Sequence, residues 1–387
     1  MTDMIYGSAT ASSGEPVLPR WWRTVDHWSL LAVAVLMLCG IVLGLASSPP
    51  LAARHGADAY FYVTRQGVFA AASFAIILFL SAQSVAMTRR LAVLGFLVAL
   101  AALILLPLFG TDYGKGAVRW YSLGFMAVQP SEFMKPAFMI FTGWLMSASF
   151  DISGPPGKSL SLMFLALIAG LLIFQPDFGQ ASLIMAAWGL VYFVAGAPIY
   201  LLLILAGLVL MGANYAYQNS DHFAARIDGF LNPELDPTTQ LGFATNAIRE
   251  GGYFGVGAGE GSVKFSLPDA HTDFIIAVAA EEYGLVMVVL IMLCFAFISL
   301  RSLMRLRRER DPFVRLAGVG LVAIFALQAV INMGVAVRLL PAKGMTLPFV
   351  SYGGSSMIAS GILLGFLLAL TRRRPQDDFR ELLGGGL

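Results

Sequence analysis

Ten stretches of this chain are each long and apolar enough to cross a lipid bilayer, and that feature constrains the fold more than any other. They lie near 28–46, 67–87, 91–109, 130–148, 159–176, 177–196, 199–217, 273–300, 314–338 and 346–371. A helix needs about 20 apolar residues to span the hydrocarbon core. Backbone amides inside lipid must find their partners within the chain, and no alternating strand pattern appears, so helices are the expected spanning element. The composition agrees: 58% of the 387 residues are hydrophobic and 12% are charged, against about 45–50% and 25% in soluble domains. Mean hydropathy is +0.77. Such a chain cannot cover its own surface with polar groups. A soluble α/β enzyme, a coiled coil and a disordered chain are excluded.

Placing the N-terminus in the cytoplasm puts 15 of the 25 Lys and Arg residues on the inner side, including the clusters Arg301–Arg310 and Arg372–Arg374. The excess of basic residues in inner loops sets orientation. These clusters read as topology anchors, so no nucleic-acid partner is expected. Residues 1–25 read as a disordered cytoplasmic N-terminus, 26–372 as one transmembrane domain, and 373–387 as a cytoplasmic tail. Residues 218–272 form a long extracytoplasmic loop before the eighth helix. The fold class is thus an all-α integral membrane protein of about ten transmembrane helices, with both termini cytoplasmic. Cys39 and Cys294 sit inside apolar runs and read as core thiols. The four histidines show no zinc-ligand spacing.

Three outer segments hold polar residues that a bland membrane bundle would lack. The first, 110–136, carries Lys115, Arg119, Trp120, Gln129, Ser131, Glu132 and Lys135. The second is the long loop 218–272. The third, 338–356, carries Arg338, Lys343 and Ser351. All three fall on one side of the membrane. Glu132 and Lys135 are three residues apart, so they share a helix face, either as an ion pair pinning the helix mouth or as the border of a polar cavity. Asp177 follows Pro176 and reads as a helix cap. Glu281 and Glu282 point about 100° apart, and at least one needs a partner inside the bundle. The glycine-dense stretch Gly251–Gly261 lacks the context of a nucleotide-binding loop and reads as a tight turn or a dip toward the membrane. Asp273, at the mouth of the eighth helix, is either an N-cap or a functional acid.

Taken together, Lys115-Gly-Ala-Val-Arg119-Trp120 with Gln129-Pro-Ser-Glu132-Phe-Met-Lys135, Gln175-Pro-Asp177-Phe-Gly179, Asp269-Ala-His271-Thr272-Asp273-Phe with Glu281-Glu282-Tyr-Gly284, and Pro341-Ala-Lys343-Gly through Ser351-Tyr-Gly-Gly-Ser-Ser356 resemble the four ordered signatures of the SEDS family (shape, elongation, division and sporulation). The likeness covers most of 25–372 and is nearer the family's division branch than its elongation branch. It departs at Asp269 and Gln175, where glutamate is common. The resemblance implies a peptidoglycan glycosyltransferase that polymerises lipid II at the outer face of the bacterial cytoplasmic membrane, at the division septum. It implies a class B penicillin-binding protein as partner through transmembrane helices, other divisome proteins, and membrane lipid around the bundle. It points to Asp273 as general base and to Lys115, Arg119, Trp120, Gln129, Ser131, Glu132, Lys135, His271, Thr272, Arg338, Lys343 and Ser351 as substrate contacts. No cofactor is evident; a divalent cation, Mg or Mn, can assist the leaving pyrophosphate. A lipid II flippase is the rival, and Glu281 and Glu282 keep it open. An inactive divisome scaffold is a third reading, against which the intact Asp273 and the basic residues count.

The topology has a direct test. Single cysteines introduced as Ser220→Cys and Ser302→Cys should differ in labelling by an impermeant maleimide on intact spheroplasts, with only the first reacting. Equal protection of both, or the reverse pattern, overturns the orientation.

Overall fold

The chain was analysed as a computed structural model, which describes residues 17–373 apart from 55, 57, 115–116, 152, 220, 232–238, 268–269 and 342–343. A short helix, α1 (Val17–Thr24), precedes the first long apolar helix, α2 (His27–Arg54). Then come α3 (Phe61–Ser81), α4 (Val85–Phe109), a hairpin of β1 (Tyr121–Ser122) and β2 (Ala127–Val128), α5 (Pro130–Ala148), α6 (Gly157–Phe174), α7 (Phe178–Val194) and α8 (Ile199–Asn219). The remainder comprises α9 (Asp221–Leu231), α10 (Gln240–Gly251), α11 (Val263–Ser266), α12 (Ile275–Arg308), α13 (Pro312–Ala336) and α14 (Gly354–Leu370). Among the described residues, seven helices meet the length and hydropathy needed to cross a membrane, and α7 and α14 are shorter apolar helices. Helix α5 has the length as well, but carries Glu132 and Lys135 in its first two turns.

Several boundaries move, each for a physical reason. Helix α3 starts at Phe61 and ends at Ser81, because the Ser84 side chain caps α4 by accepting from the Met87 amide at 3.2 Å. Arg89 and Arg90 therefore lie within α4, where Arg89 stacks over the Trp144 and Phe313 rings. The last apolar run begins its helix only at Gly354; residues 344–353 are non-helical although much of the stretch is buried. Residues 17–24, expected in the disordered N-terminus, are helical, and the long outer loop contains α9, α10 and α11. Residues 1–16 and 374–387 lie outside the described residues.

Helices α5, α13 and α14 form the centre. Close approach depends on small residues, as is usual where lipid provides no hydrophobic drive between helices. A methyl group at Gly143 would lie 2.6 Å from the Ala317 amide nitrogen of α13, and one at Gly361 would lie 2.4 Å from Ser73 Oγ of α3.

Helix α12 is broken at Gly284, whose φ of 71° is natural only for glycine. In an unbroken helix the Leu285 and Val286 amides would donate to the carbonyls of Glu281 and Glu282. Here they donate to Gly252 O (3.0 Å) and Tyr253 O (3.4 Å), while the Glu281 and Glu282 carbonyls accept from Val256 N (2.8 Å) and Gly257 N (3.2 Å). The glycine stretch is thereby spliced into the helix. Its glycines are obligatory: a Cβ at Gly251 or Gly255 would lie 1.8 Å or 2.1 Å from a carbonyl oxygen of α12. The two glutamates complete the splice. Glu282 pairs with Lys264 at 2.6 Å and accepts from Gly259 N at 3.1 Å, and Glu281 accepts from Ser262 N at 2.6 Å. Structural pairing thus accounts for Glu282, and Glu281 is tied to the same splice through one carboxylate oxygen.

The opposite end of the bundle is tied by Asp26, which is 3% exposed and accepts from Arg301 Nε at 2.6 Å, with Arg305 at 3.3 Å. Arg305 also donates to Thr371 O at 3.0 Å, the Arg373 amide to Thr24 O at 3.1 Å, and Trp21 Nε1 to Ser81 Oγ at 3.0 Å. Burial would raise the Asp26 carboxyl, but the Arg301 hydrogen bond, the Arg305 charge and the Ser29 hydroxyl outweigh it and hold the pKa below the ordinary 3.8. A depressed pKa contributes stability above the unfolded value that is lost as pH falls through the folded one. Asp26→Asn should therefore cost on the order of 1–3 kcal/mol at neutral pH. Thermal unfolding in detergent should show the gap to wild type closing below about pH 4. A gap that persists at lower pH would sink the ionic account.

Candidate functional site

Polar side chains converge at the end of the bundle opposite Asp26. Helix α5 opens with Pro130 at its first turn, which suits a position where the amide has no helical partner. Glu132 and Lys135, one turn apart, meet at 2.9 Å with side chains only 4% and 3% exposed. Lys135 also donates to Gln328 Oε1 at 2.8 Å, and Gln180 Nε2 donates to Glu132 Oε1 at 2.6 Å. Asp177 caps α7, accepting from the Gln180 amide at 3.4 Å and from Gln129 Nε2 at 3.1 Å. One connected network thus joins α5, α7 and α13. A buried pair at this depth is stable only with its remaining valences satisfied, and the two glutamines do that.

The network continues onto the non-helical limb 344–353. Gln328 Nε2 donates to Thr346 O at 2.9 Å, and Asn332, one turn further along α13, donates to Met345 O at 2.6 Å and to Asp273 O at 3.0 Å. From α3, Gln66 Nε2 donates to Val350 O at 3.1 Å. Ser351 Oγ donates to Thr272 O at 2.6 Å and accepts from Leu347 N at 2.8 Å; the Tyr352 amide donates to His271 O at 2.9 Å. The three carbonyls of His271, Thr272 and Asp273 are thus each held by a different donor.

Asp273 is not the cap of α12. That position belongs to Phe274, which makes no side-chain capping bond. The Asp273 carboxylate instead lies against Gly344: a methyl group there would meet Oδ2 at 3.4 Å. Arg119 points to the α6–α7 turn, donating to Gln175 O at 3.0 Å and Pro176 O at 2.7 Å. Trp120 is half-buried, and its backbone pairs with Thr111. Arg338 occupies the left-handed slot (φ 60°) just past α13, where glycine is the usual choice, and the Leu339 amide closes the turn onto Gly334 O at 2.7 Å. Ser131 Oγ, Gln180 Oε1 and Asn332 Oδ1 are buried without a hydrogen-bond partner. Lys115, Lys343 and Asp269 lie outside the described residues. The structure therefore joins Gln129, Glu132 and Lys135 in one group and His271, Thr272, Asp273 and Ser351 in another, with Asn332 and Gln328 linking them. Sequence reading missed Gln180, Gln328 and Gln66. The signal was there: an isolated amide inside an apolar run is costly unless it bonds something. Among the described residues, no cluster of three or more His, Cys, Asp or Glu side chains can hold a metal ion, so a Mg or Mn ion has no protein-built cage there.

The family profile described as "Cell cycle protein" (FtsW, RodA, SpoVE) matches residues 27–376. A protein of Caulobacter vibrioides named "Probable peptidoglycan glycosyltransferase FtsW" is 43% identical over 368 residues, covering 95% of this chain and 94% of its own length. A protein of the same name from Trichlorobacter lovleyi is 36% identical, covering 88% and 92%. Among solved structures, one described as "Structural coordination of polymerization and crosslinking by a peptidoglycan synthase complex" aligns with a TM-score of 0.75 at 27% identity, over 90% of this chain and 97% of the other. RodA of Thermus thermophilus, at 24% identity, shares the fold with a TM-score of 0.66. With the profile spanning nearly the whole bundle and relatives alike from end to end, the chain belongs to the cell cycle protein family of FtsW, RodA and SpoVE, the SEDS family that its four signatures resemble.

Proposed function

We propose that this chain polymerises lipid II into glycan strands at the outer face of the cytoplasmic membrane during septal wall synthesis, with Asp273 as general base. The observation that carries the assignment is the clamped turn 271–273. Each of its carbonyls is held by a donor from α13 or from the limb 344–353, and this fixed backbone positions the carboxylate. A base must be held within hydrogen-bond reach of the proton it takes. The acceptor hydroxyl attacks the anomeric carbon of the donor, its proton passes to Asp273, and the bond to the lipid pyrophosphate breaks. One carboxylate suffices for this direct, inverting displacement.

Charge that develops on the leaving pyrophosphate calls for fixed donors. Arg119, Lys135, Arg338, Lys115 and Lys343 are the cations of the first and third outer segments, and Trp120, Gln129, Ser131, Glu132, His271, Thr272 and Ser351 are the polar and aromatic groups of the signatures that hold them. Lys135 acts through the Glu132–Gln180–Gln328 network. Arg338 keeps a strained backbone, a pattern found where a side chain is retained for function. A Mg or Mn ion, if bound, would supply positive charge to the leaving pyrophosphate. The partner is a class B penicillin-binding protein docked through transmembrane helices, with other divisome proteins around it. The flippase reading loses its main support, since Glu281 and Glu282 serve the α12 splice. The buried ion pairs named above lie toward the two ends of the bundle and do not line a path through it, as transport would require.

Asp273→Asn keeps shape but cannot accept a proton at neutral pH. With labelled lipid II and purified protein plus partner, it should lower the polymerisation rate by about 10²–10⁴-fold while leaving insertion and partner binding intact. Asp269→Asn should do less harm. A near wild-type rate for Asp273→Asn would move the base to another acid.

The cations have their own test. Arg119→Ala or Lys343→Ala should weaken polymerisation without loss of the folded state. Full activity in both would remove them from the pyrophosphate site.

A further inference from the structure

The end of the bundle opposite Asp273 carries more fixed positive charge than its carboxylate balances. Asp26 takes three donors on a single oxygen, Oδ2: Arg301 Nε at 2.6 Å, Ser29 Oγ at 3.0 Å and Arg305 at 3.3 Å. Arg305 also donates to Thr371 O at 3.0 Å, and the charges of Arg301 and Arg373 both bear on it. Three guanidiniums thus gather around one carboxylate. Glu309 and Asp311, the next acids along the chain, bond amides of the α12–α13 turn. Among the described residues, the Arg301 side chain donates only through Nε, so its two terminal amino groups carry no hydrogen bond. That side chain is 29% exposed and lies over the Phe297 ring at 5.7 Å. Arg373 is exposed and uses only its amide, on Thr24 O.

The depth of this corner is set by α2. Its apolar span starts at His27, so Asp26 and the arginines stand where hydrocarbon gives way to headgroups. Trp22 and Trp28 are exposed on either side of Asp26, and tryptophan is the usual side chain of that level. Toward the membrane centre α2 packs on α12. Trp28, Leu31 and Leu38 share one exposed face of α2, and Phe297, one turn from Arg301, is exposed on α12.

Topology anchoring asks only for positive charge near a helix end. It does not ask for guanidiniums held in place by a buried carboxylate with donors left over. A phosphodiester meets the remaining demands. Its oxygens suit the planar fork of arginine, and its negative charge offsets the excess. A free aqueous anion would leave the apolar faces beside the corner without a role, whereas a lipid covers them with its acyl chains. Basic pockets between helices on the cytoplasmic side suit anionic headgroups for these reasons. We propose that Arg301 and Arg373, with Arg305 behind them, hold the phosphate of an anionic phospholipid in the cytoplasmic leaflet, its chains lying against Trp28, Leu31, Leu38 and Phe297. No bond is made or broken. The corner joins α1, α2, α12 and α14, so the bound lipid ties their inner ends together.

The test uses the full chain in detergent, stripped of lipid, with native mass spectrometry to follow what rebinds. Dioleoylphosphatidylglycerol should bind about fivefold more tightly than dioleoylphosphatidylcholine, and inorganic phosphate at the same concentrations should not displace it. Arg301→Gln and Arg373→Gln should each weaken phosphatidylglycerol binding about fivefold, the weight of one cation near a headgroup. Arg90→Gln, which removes an exposed arginine of the same end from α4, should leave it unchanged. Equal binding of the two lipids, or an equal loss in Arg90→Gln, reduces the corner to general charge and overturns the site. Displacement by inorganic phosphate overturns lipid as its occupant. Should a glutamine variant lose its thermal unfolding transition, phosphatidylglycerol with a diazirine in one acyl chain decides on wild type. Label within 28–38 or 290–304 supports the site, and label confined to other helices overturns it.

Discussion

A peptide carbonyl at membrane depth must be bonded to something within the protein, and the non-helical limb 344–353 exists because that demand is met. Three carboxamides meet it. Gln328 and Asn332 hold Thr346 O and Met345 O from α13, and Gln66 holds Val350 O from α3. Each is 2% exposed, so each would itself be an expensive orphan without the limb. The need is mutual: a carboxamide in a helix facing lipid has no reason to persist, and a non-helical backbone there cannot survive without it. Phe349, buried at a φ of 65°, shows how far the limb is bent to keep these bonds.

From this constraint the rest of the outer end follows. The limb supplies Ser351 and Tyr352, which grip the carbonyls of Thr272 and His271, and Asn332 grips the next one. Gln328 turns its other end to Lys135, which places the Glu132 pair in the same hydrogen-bonded fabric as Asp273. Truncating a single carboxamide would leave at least one buried carbonyl unsatisfied and loosen two helices at once. Such coupling is the ordinary behaviour of a buried polar network, where the members are worth more together than apart.

Much of this was legible from the chain. The apolar runs marked where helices lie, and the loop charges grouped the ends. The Pro176 break between α6 and α7 and the Asp177 cap were readable because proline and a capping carboxylate act locally. The Glu132–Lys135 pair was readable because helical spacing makes neighbours of residues three apart. What escaped reading is long-range. Nothing near Gly284 announces that residues 251–257 complete its helix, since the donors sit some thirty positions away. The start of α14 was misjudged in part for the same reason: Met345–Val350 is apolar, but besides Pro348 its distant carboxamide partners hold it out of a helix. The ring cluster of Tyr62, His271 and Tyr352 draws its members from distant parts of the sequence and carries no spacing signal at all.

The splice at Gly284 also fixes how this chain can change length over evolution. Residues 252 and 285 are joined by a backbone hydrogen bond, so the segment between them is a closed ring with Asp273 at its far side. An insertion among the spliced residues 252–257 or 281–286 would break the bonds that join the two segments and shift the acid away from its neighbours. An insertion in α9 would leave these bonds in place, whereas one inside α10 would shift Gly251 out of its fit against Ala280. The region just before the eighth apolar run therefore divides into a part whose length is free to drift and a part whose length is locked.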